Sequence, residues 1–141
     1  MNIVIPGYQL IESIHSGART LIYRGYRESD SSPVIVKTLV AEYPTLEDIT
    51  RLRHEYKILQ QLNVEGIVKV YSLENYNNGL ALILEDLGAE SLNSVIACQK
   101  ISVLPFLSIA IQLASALAQL HKNCIIHKDI KPHNITPVRA T

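Results

Sequence analysis

The run Ile125-Ile126-His127-Lys128-Asp129-Ile130-Lys131-Pro132-His133-Asn134 places a carboxylate, two ammonium groups and a carboxamide within ten residues. A carboxylate can take the proton of an incoming hydroxyl, and a neutral amide oxygen can hold a hard cation such as Mg²⁺. Both must be aimed at one point, and Pro132 stiffens the turn between Asp129 and Asn134. A different chemistry shares the stretch. His121, Cys124, His127 and His133 have the donor types of a metal site, although their spacings match no common zinc pattern closely. A third group is a pair of charges that look out of place. Lys37 ends the short apolar strand Pro33-Val34-Ile35-Val36-Lys37, on the same face as Ile35. Glu55 falls inside the apolar stripe Leu52, Leu59 and Leu62 of a helix. Each costs free energy alone, and a helix packed on the strand would let each neutralise the other.

The elements that must position these groups follow from periodicity and turn chemistry. Tyr8–Ile14 and Thr20–Tyr26 read as a hairpin joined by His15-Ser16-Gly17-Ala18-Arg19, and the strand ending in Lys37 follows a polar turn over Glu28–Ser32. Thr45 caps the helix that carries Glu55, with Glu47 and Asp48 in its first turn. Val68–Leu73 and Leu80–Leu84 pair about a turn over Asn75–Gly79, where Asn78-Gly79 favours positive φ. Ser91–Ala97 forms a short helix and Pro105–Asn123 a long one, with proline in its first turn. Phe106, Ile109, Leu113, Leu117 and Leu120 line one face of the long helix, and Leu107, Ile111, Ala114 and Ala118 line another. A helix apolar on both faces needs cover on both. The few residues after Asn134 are too small to supply it, so the chain reads as incomplete.

The order of these features resembles a protein kinase of the Ser/Thr type, over essentially the whole chain. The spacing from Asp129 to Asn134 is that of the kinase catalytic loop, Val34-Ile35-Val36-Lys37 matches the Val-Ala-Ile-Lys strand, and Glu55-x-x-Ile58-Leu59-x-x-Leu62 matches the helix that packs on it. The resemblance implies Asp129 as base, Lys131 on the transferred phosphoryl group, Asn134 on Mg²⁺, and Lys37 with Glu55 on the phosphates of ATP. It also places Gly17 in the lid over the nucleotide, Leu84 at the back of its pocket, and Glu85 to Leu87 in the hinge whose backbone meets adenine. The lid is glycine-poor, since His15 and Thr20 stand at its first and third glycine positions. Lys128 replaces the usual arginine before the base and lacks that residue's bidentate fork. The fold implied is α+β, with a small lobe of five antiparallel strands and one helix over about 1–87 and the truncated start of a helical large lobe over about 88–141. Tyr23-Arg24-Gly25-Tyr26, the lid and His127-Lys128-Asp129-Ile130-Lys131-Pro132 are similar to the N-terminal kinase module of bacterial multi-domain sensor kinases. The partners implied are a protein Ser/Thr substrate and further domains of a larger signalling protein. A non-catalytic, pseudokinase-like binding module is the alternative. The Asp-Phe-Gly-like motif that separates the two would follow the catalytic loop, and no Asp stands between Asn134 and Thr141.

Composition is consistent with this and narrows the partners. Thirteen basic and thirteen acidic residues balance across 141, which gives no electrostatic reason to expect nucleic acid or an anionic membrane. Two cysteines, Cys98 and Cys124, do not make a disulfide scaffold and read as small core residues of a cytoplasmic protein. The uncharged stretch Ile101–Leu120 has the length of a membrane span, but Pro105, Gln112, Gln119 and three serines dilute it.

Overall fold

The structure, a computed structural model, describes residues 3–137. It forms two compact units. The first comprises the residues up to Leu62 together with Val68–Asp86, and the second comprises Asn63–Ile67 and the residues from Leu87 onward.

In the first unit five antiparallel strands form one sheet in the order β1-β2-β3-β5-β4. They are β1 (Tyr8–Ser16), β2 (Thr20–Arg27), β3 (Pro33–Leu39), β4 (Val70–Tyr76) and β5 (Gly79–Glu85), with helix α1 (Leu46–Gln61) between β3 and β4. This is the architecture expected from the sequence. Strand alternation sorts β3 and β5 into two cores. Leu39, Leu80, Leu82 and Leu84 join Leu52 of α1 on one side, while Val34, Val36, Ala81 and Ile83 bury on the other. Among the described residues of the first unit, no helical side chain joins the second core. Ile5, only 1% exposed, closes it with the partly buried Ile3, Tyr8, Leu10, Tyr23 and Tyr76. Thr38 points into this apolar side and is satisfied there by Tyr76 Oη and the Leu80 carbonyl.

Several boundaries differ from expectation for local reasons. The β4–β5 turn is tight, with Tyr76 opposite Gly79, and the positive φ falls on Asn77 rather than on Gly79. The α1 stripe uses Ile49, Leu52, Tyr56 and Leu59 against the leucine core, whereas Leu62 is the C-cap outside the helix. Gly25 is required by its neighbour. A Cβ there would lie 2.0 Å from the Gln9 carbonyl oxygen on β1, next to the bulge between Leu10 and Glu12. Gly25→Ala is therefore expected to cost about 1–3 kcal/mol, read as a lower urea midpoint at unchanged slope, and an unshifted midpoint would show that β1 yields freely.

In the second unit α2 (Leu92–Cys98) and α3 (Val103–Lys122) precede a single 3₁₀ turn, Pro132–Asn134. Helix α3 starts at the N-cap Ser102, so Pro105 stands in its first turn, where a backbone N–H is not needed. Its first apolar face is partly covered, with Ala116 and Leu120 buried and Ile109, Leu113 and Leu117 half-buried. Phe106, expected on that face, is 57% exposed, and Leu107 and Ile111 of the second face are exposed as well. The two cysteines are not core residues. Cys98 is the exposed last residue of α2, and Cys124, also exposed, ends α3 at φ 59. There the Cys124 N–H donates to the His121 carbonyl and the Ile125 N–H to the Leu120 carbonyl, the paired bonds of a Schellman cap. That cap fixes where the chain leaves α3 for the polar run.

Candidate active site

Lys37 lies on β3 opposite Ile22 of β2, and its Nζ donates to both carboxylate oxygens of Glu55, at 3.0 and 2.9 Å. The helix that brings Glu55 there is started by Thr45, whose hydroxyl accepts the Asp48 N–H at 3.2 Å, as expected of its N-cap. The two charges are neither deeply buried nor free in water, at 25% and 37% exposure. Such a lysine is held in one orientation and keeps access to a further anion.

The other residues expected around a nucleotide in the first unit are Gly17, Leu84 and Glu85. Leu84 is buried in the leucine core. The Gly17 N–H donates inside its own turn to the Thr20 carbonyl, at 2.9 Å. Glu85 is tied to Lys69 twice, its N–H on the Lys69 carbonyl at 3.0 Å and its Oε1 on the Lys69 N–H at 2.8 Å. Leu87 belongs to the second unit and is 52% exposed. One pair escaped sequence reasoning. Arg24 of β2 donates Nε and Nη2 to Asp86 at 2.7 and 3.2 Å. Its signal was a lone arginine inside the apolar strand Thr20–Tyr26, opposite Ile35.

In the second unit the polar run folds onto Asp129. Asn134 Nδ2 donates to the Asp129 carbonyl at 2.9 Å and to its carboxylate at 3.0 Å, and Lys131 Nζ lies 3.4 Å from the same carboxylate. The Asn134 amide first, and Lys131 with it, hold the Asp129 carboxyl below the usual carboxylate range. From the other side the Asp129 N–H donates to His127 Nδ1 at 3.2 Å, across Lys128 at φ 67. Pro132 opens the 3₁₀ turn that returns Asn134 to the aspartate. Both bonds use the amide nitrogen of Asn134, and its oxygen, a hard neutral donor, is the kind of ligand Mg²⁺ takes. Asp129, Lys131 and Asn134 are thus brought together. The zinc arrangement is not formed, because no three His, Cys, Asp or Glu residues gather in metal-binding geometry among the described residues.

Comparison with known proteins agrees with this geometry. The family model described as "Protein kinase domain" matches residues 8–138 and so runs through both groups of residues and through α3. Serine/threonine-protein kinase TIO of Arabidopsis thaliana is 32% identical over 135 residues, which is 93% of this chain and 10% of that protein. MAP3K epsilon protein kinase 1 of the same plant is 30% identical over 91% of the chain and 10% of its own length. Serine/threonine-protein kinase PrkC of Bacillus subtilis is 30% identical over 91% of the chain and 20% of its own. The chain spans about a tenth to a fifth of the length of these relatives. It belongs to the protein kinase domain family, among serine/threonine kinases.

Proposed function

We propose that this chain supplies the nucleotide-binding lobe and catalytic loop of an ATP-dependent kinase that phosphorylates serine or threonine in protein substrates. The observation that carries the reading is the two-pronged Lys37–Glu55 contact. A lysine held by a carboxylate from a separate helix is oriented before any ligand arrives, and the family uses that lysine on the α- and β-phosphates of ATP. Asp129, kept ionised by Asn134 and Lys131, is the base for the acceptor hydroxyl. Lys131 serves the transferred phosphoryl group and the Asn134 oxygen serves Mg²⁺. Glu85 and Leu87 offer main-chain groups to the base, with Gly17 in the turn above it. Residues 1–87 act as small lobe and hinge, and 88–141 as the start of the large lobe.

In this reading the kinase works in the cytoplasm alongside further domains of a larger signalling protein, on the pattern of the bacterial multi-domain sensor kinases. Nucleic acid is not among its partners in this reading, and the chain has no membrane span. Helix α3 is long and apolar enough to cross a membrane by length and composition alone. Its place inside the family match supports a large-lobe helix instead. A second reading, a nucleotide-binding module without catalysis, is favoured by one feature, the Gly17 N–H already bonded to Thr20.

Phosphate transfer from ATP with Mg²⁺ to a generic Ser/Thr substrate tests both. The family holds its metal ions with a second Asp beyond the catalytic-loop Asn, and no Asp follows Asn134 in these 141 residues. The 141-residue chain alone is therefore expected to give no steady turnover, and the protein carrying the complete kinase domain to give it. Turnover by the short chain that disappears in Asp129→Ala would overturn the one-ligand argument. A complete domain that binds ATP without transferring phosphate would favour the second reading.

A further inference from the structure

At the end of β5 two successive carboxylates are held from opposite sides. Glu85 is tied through its N–H and its side chain to Lys69, and Asp86 receives the two-pronged guanidinium of Arg24 at 2.7 and 3.2 Å. The Asp86 side chain is 5% exposed and that of Arg24 is 28% exposed. A carboxylate buried so completely needs a fixed cation, and a plain anchor for the fold would be better made from apolar side chains. The location of the pair gives it a use. Arg24 stands opposite Ile35, and Ile22 opposite Lys37, so these four side chains share one face of the sheet. All four are half-buried, unlike Val34, Val36, Ala81 and Ile83 on the other face, which are fully buried. The result is a patch in which the two isoleucines lie diagonally, Ile22 beside the Lys37 ammonium and Ile35 beside the guanidinium–carboxylate pair. That order of chemistry fits a purine nucleoside triphosphate, phosphates on Lys37 and base toward Asp86.

We propose that Arg24 is a positioning residue for the nucleobase. By holding Asp86 it fixes the peptide planes from Glu85 to Leu87, whose main-chain donors and acceptors read the edge of the base. The inference rests on the nucleotide-binding reading proposed above and adds the element that gives the base, rather than the phosphates, its affinity. Main-chain recognition depends on the angle of each peptide plane, and loss of the two-pronged contact would loosen both planes that adjoin Asp86.

The test titrates the full chain calorimetrically with MgATP and, separately, with inorganic tripolyphosphate, which carries the phosphates but no base. Arg24→Met removes the cation, and Arg24→Lys keeps the charge but loses the two-pronged contact. Asp86 stays neutralised in the lysine variant, which guards against simple unfolding, and thermal melts confirm the fold of each protein. Both variants are expected to lose at least about tenfold in affinity for ATP while tripolyphosphate binding stays within about twofold, because only the base contact depends on the pinned peptides. Equal losses for the two ligands would make the pair merely structural, and unchanged ATP affinity would equally overturn the inference. A wild-type chain that binds neither ligand would overturn the nucleotide reading itself.

Discussion

Replacing Lys37 by Met in the protein carrying the complete kinase domain is expected to lower kcat by about 10²–10³-fold, the usual loss when one preorganised electrostatic contact to a developing charge is removed. The fold should survive. Lys37 stands at 25% exposure on a strand whose neighbours Val34, Val36, Thr38 and Leu39 are buried independently of it. Glu55, 37% exposed, can turn to water once its partner is gone, so the stability change should be about 0–1 kcal/mol, as for other partly exposed ion pairs. Activity and stability therefore separate. A methionine variant that melts with the wild type and transfers no phosphate is the expected result. One that retains more than about a tenth of wild-type kcat would remove Lys37 from the phosphate site.

The Lys37–Glu55 contact was legible in the sequence because both residues broke their local pattern, a lysine on an apolar strand face and a glutamate in a helical stripe. The sheet was legible because β3 and β5 alternate or run apolar between clear turns. Other features left weaker traces. The residues Ile3 and Ile5 precede the first strand in a segment with no periodicity, so nothing local tells that Ile5 closes the second core. The cysteines were misjudged because thiols favour interiors on average, whereas Cys124 is set by a backbone cap that usually takes glycine. Phe106 lies on an apolar stripe, but a stripe says only which residues share a face and not which part of that face is covered. The Arg24–Asp86 pair joins residues 62 apart with no repeat between them, and only three-dimensional pairing reveals it. The polar run around Asp129 was readable for the opposite reason, since Asn134 returns to Asp129 within a single turn stiffened by Pro132.

Replacing Asp129 by Asn in the complete domain is expected to lower kcat by about 10²–10⁴-fold, the range for losing a positioned general base. The substitution keeps the side chain's size and an oxygen for the Asn134 amide, so the turn should hold, and the loss should fall on kcat with little change in KM for ATP. The pH profile supplies a second readout. The Asn134 hydrogen bond and the Lys131 ammonium stabilise the ionised carboxylate, so Asp129 titrates lower in the folded protein than in the unfolded chain. Its contribution is therefore present above the ordinary carboxylate range and is lost only as pH falls through the depressed folded value. The base stays ionised through neutral and mildly acidic pH, and any acid limb of kcat that belongs to it lies below that ordinary range. Asn134→Ala removes the largest cause of the depression, and Lys131, with a smaller contribution from His127, is left to oppose protonation. The acid limb should then move upward while the Mg²⁺ requirement rises, since the same amide supplies the proposed metal oxygen. An acid limb that stays in place in Asn134→Ala, or an Asp129→Asn enzyme with near wild-type kcat, would mean that the hydroxyl proton goes to another group.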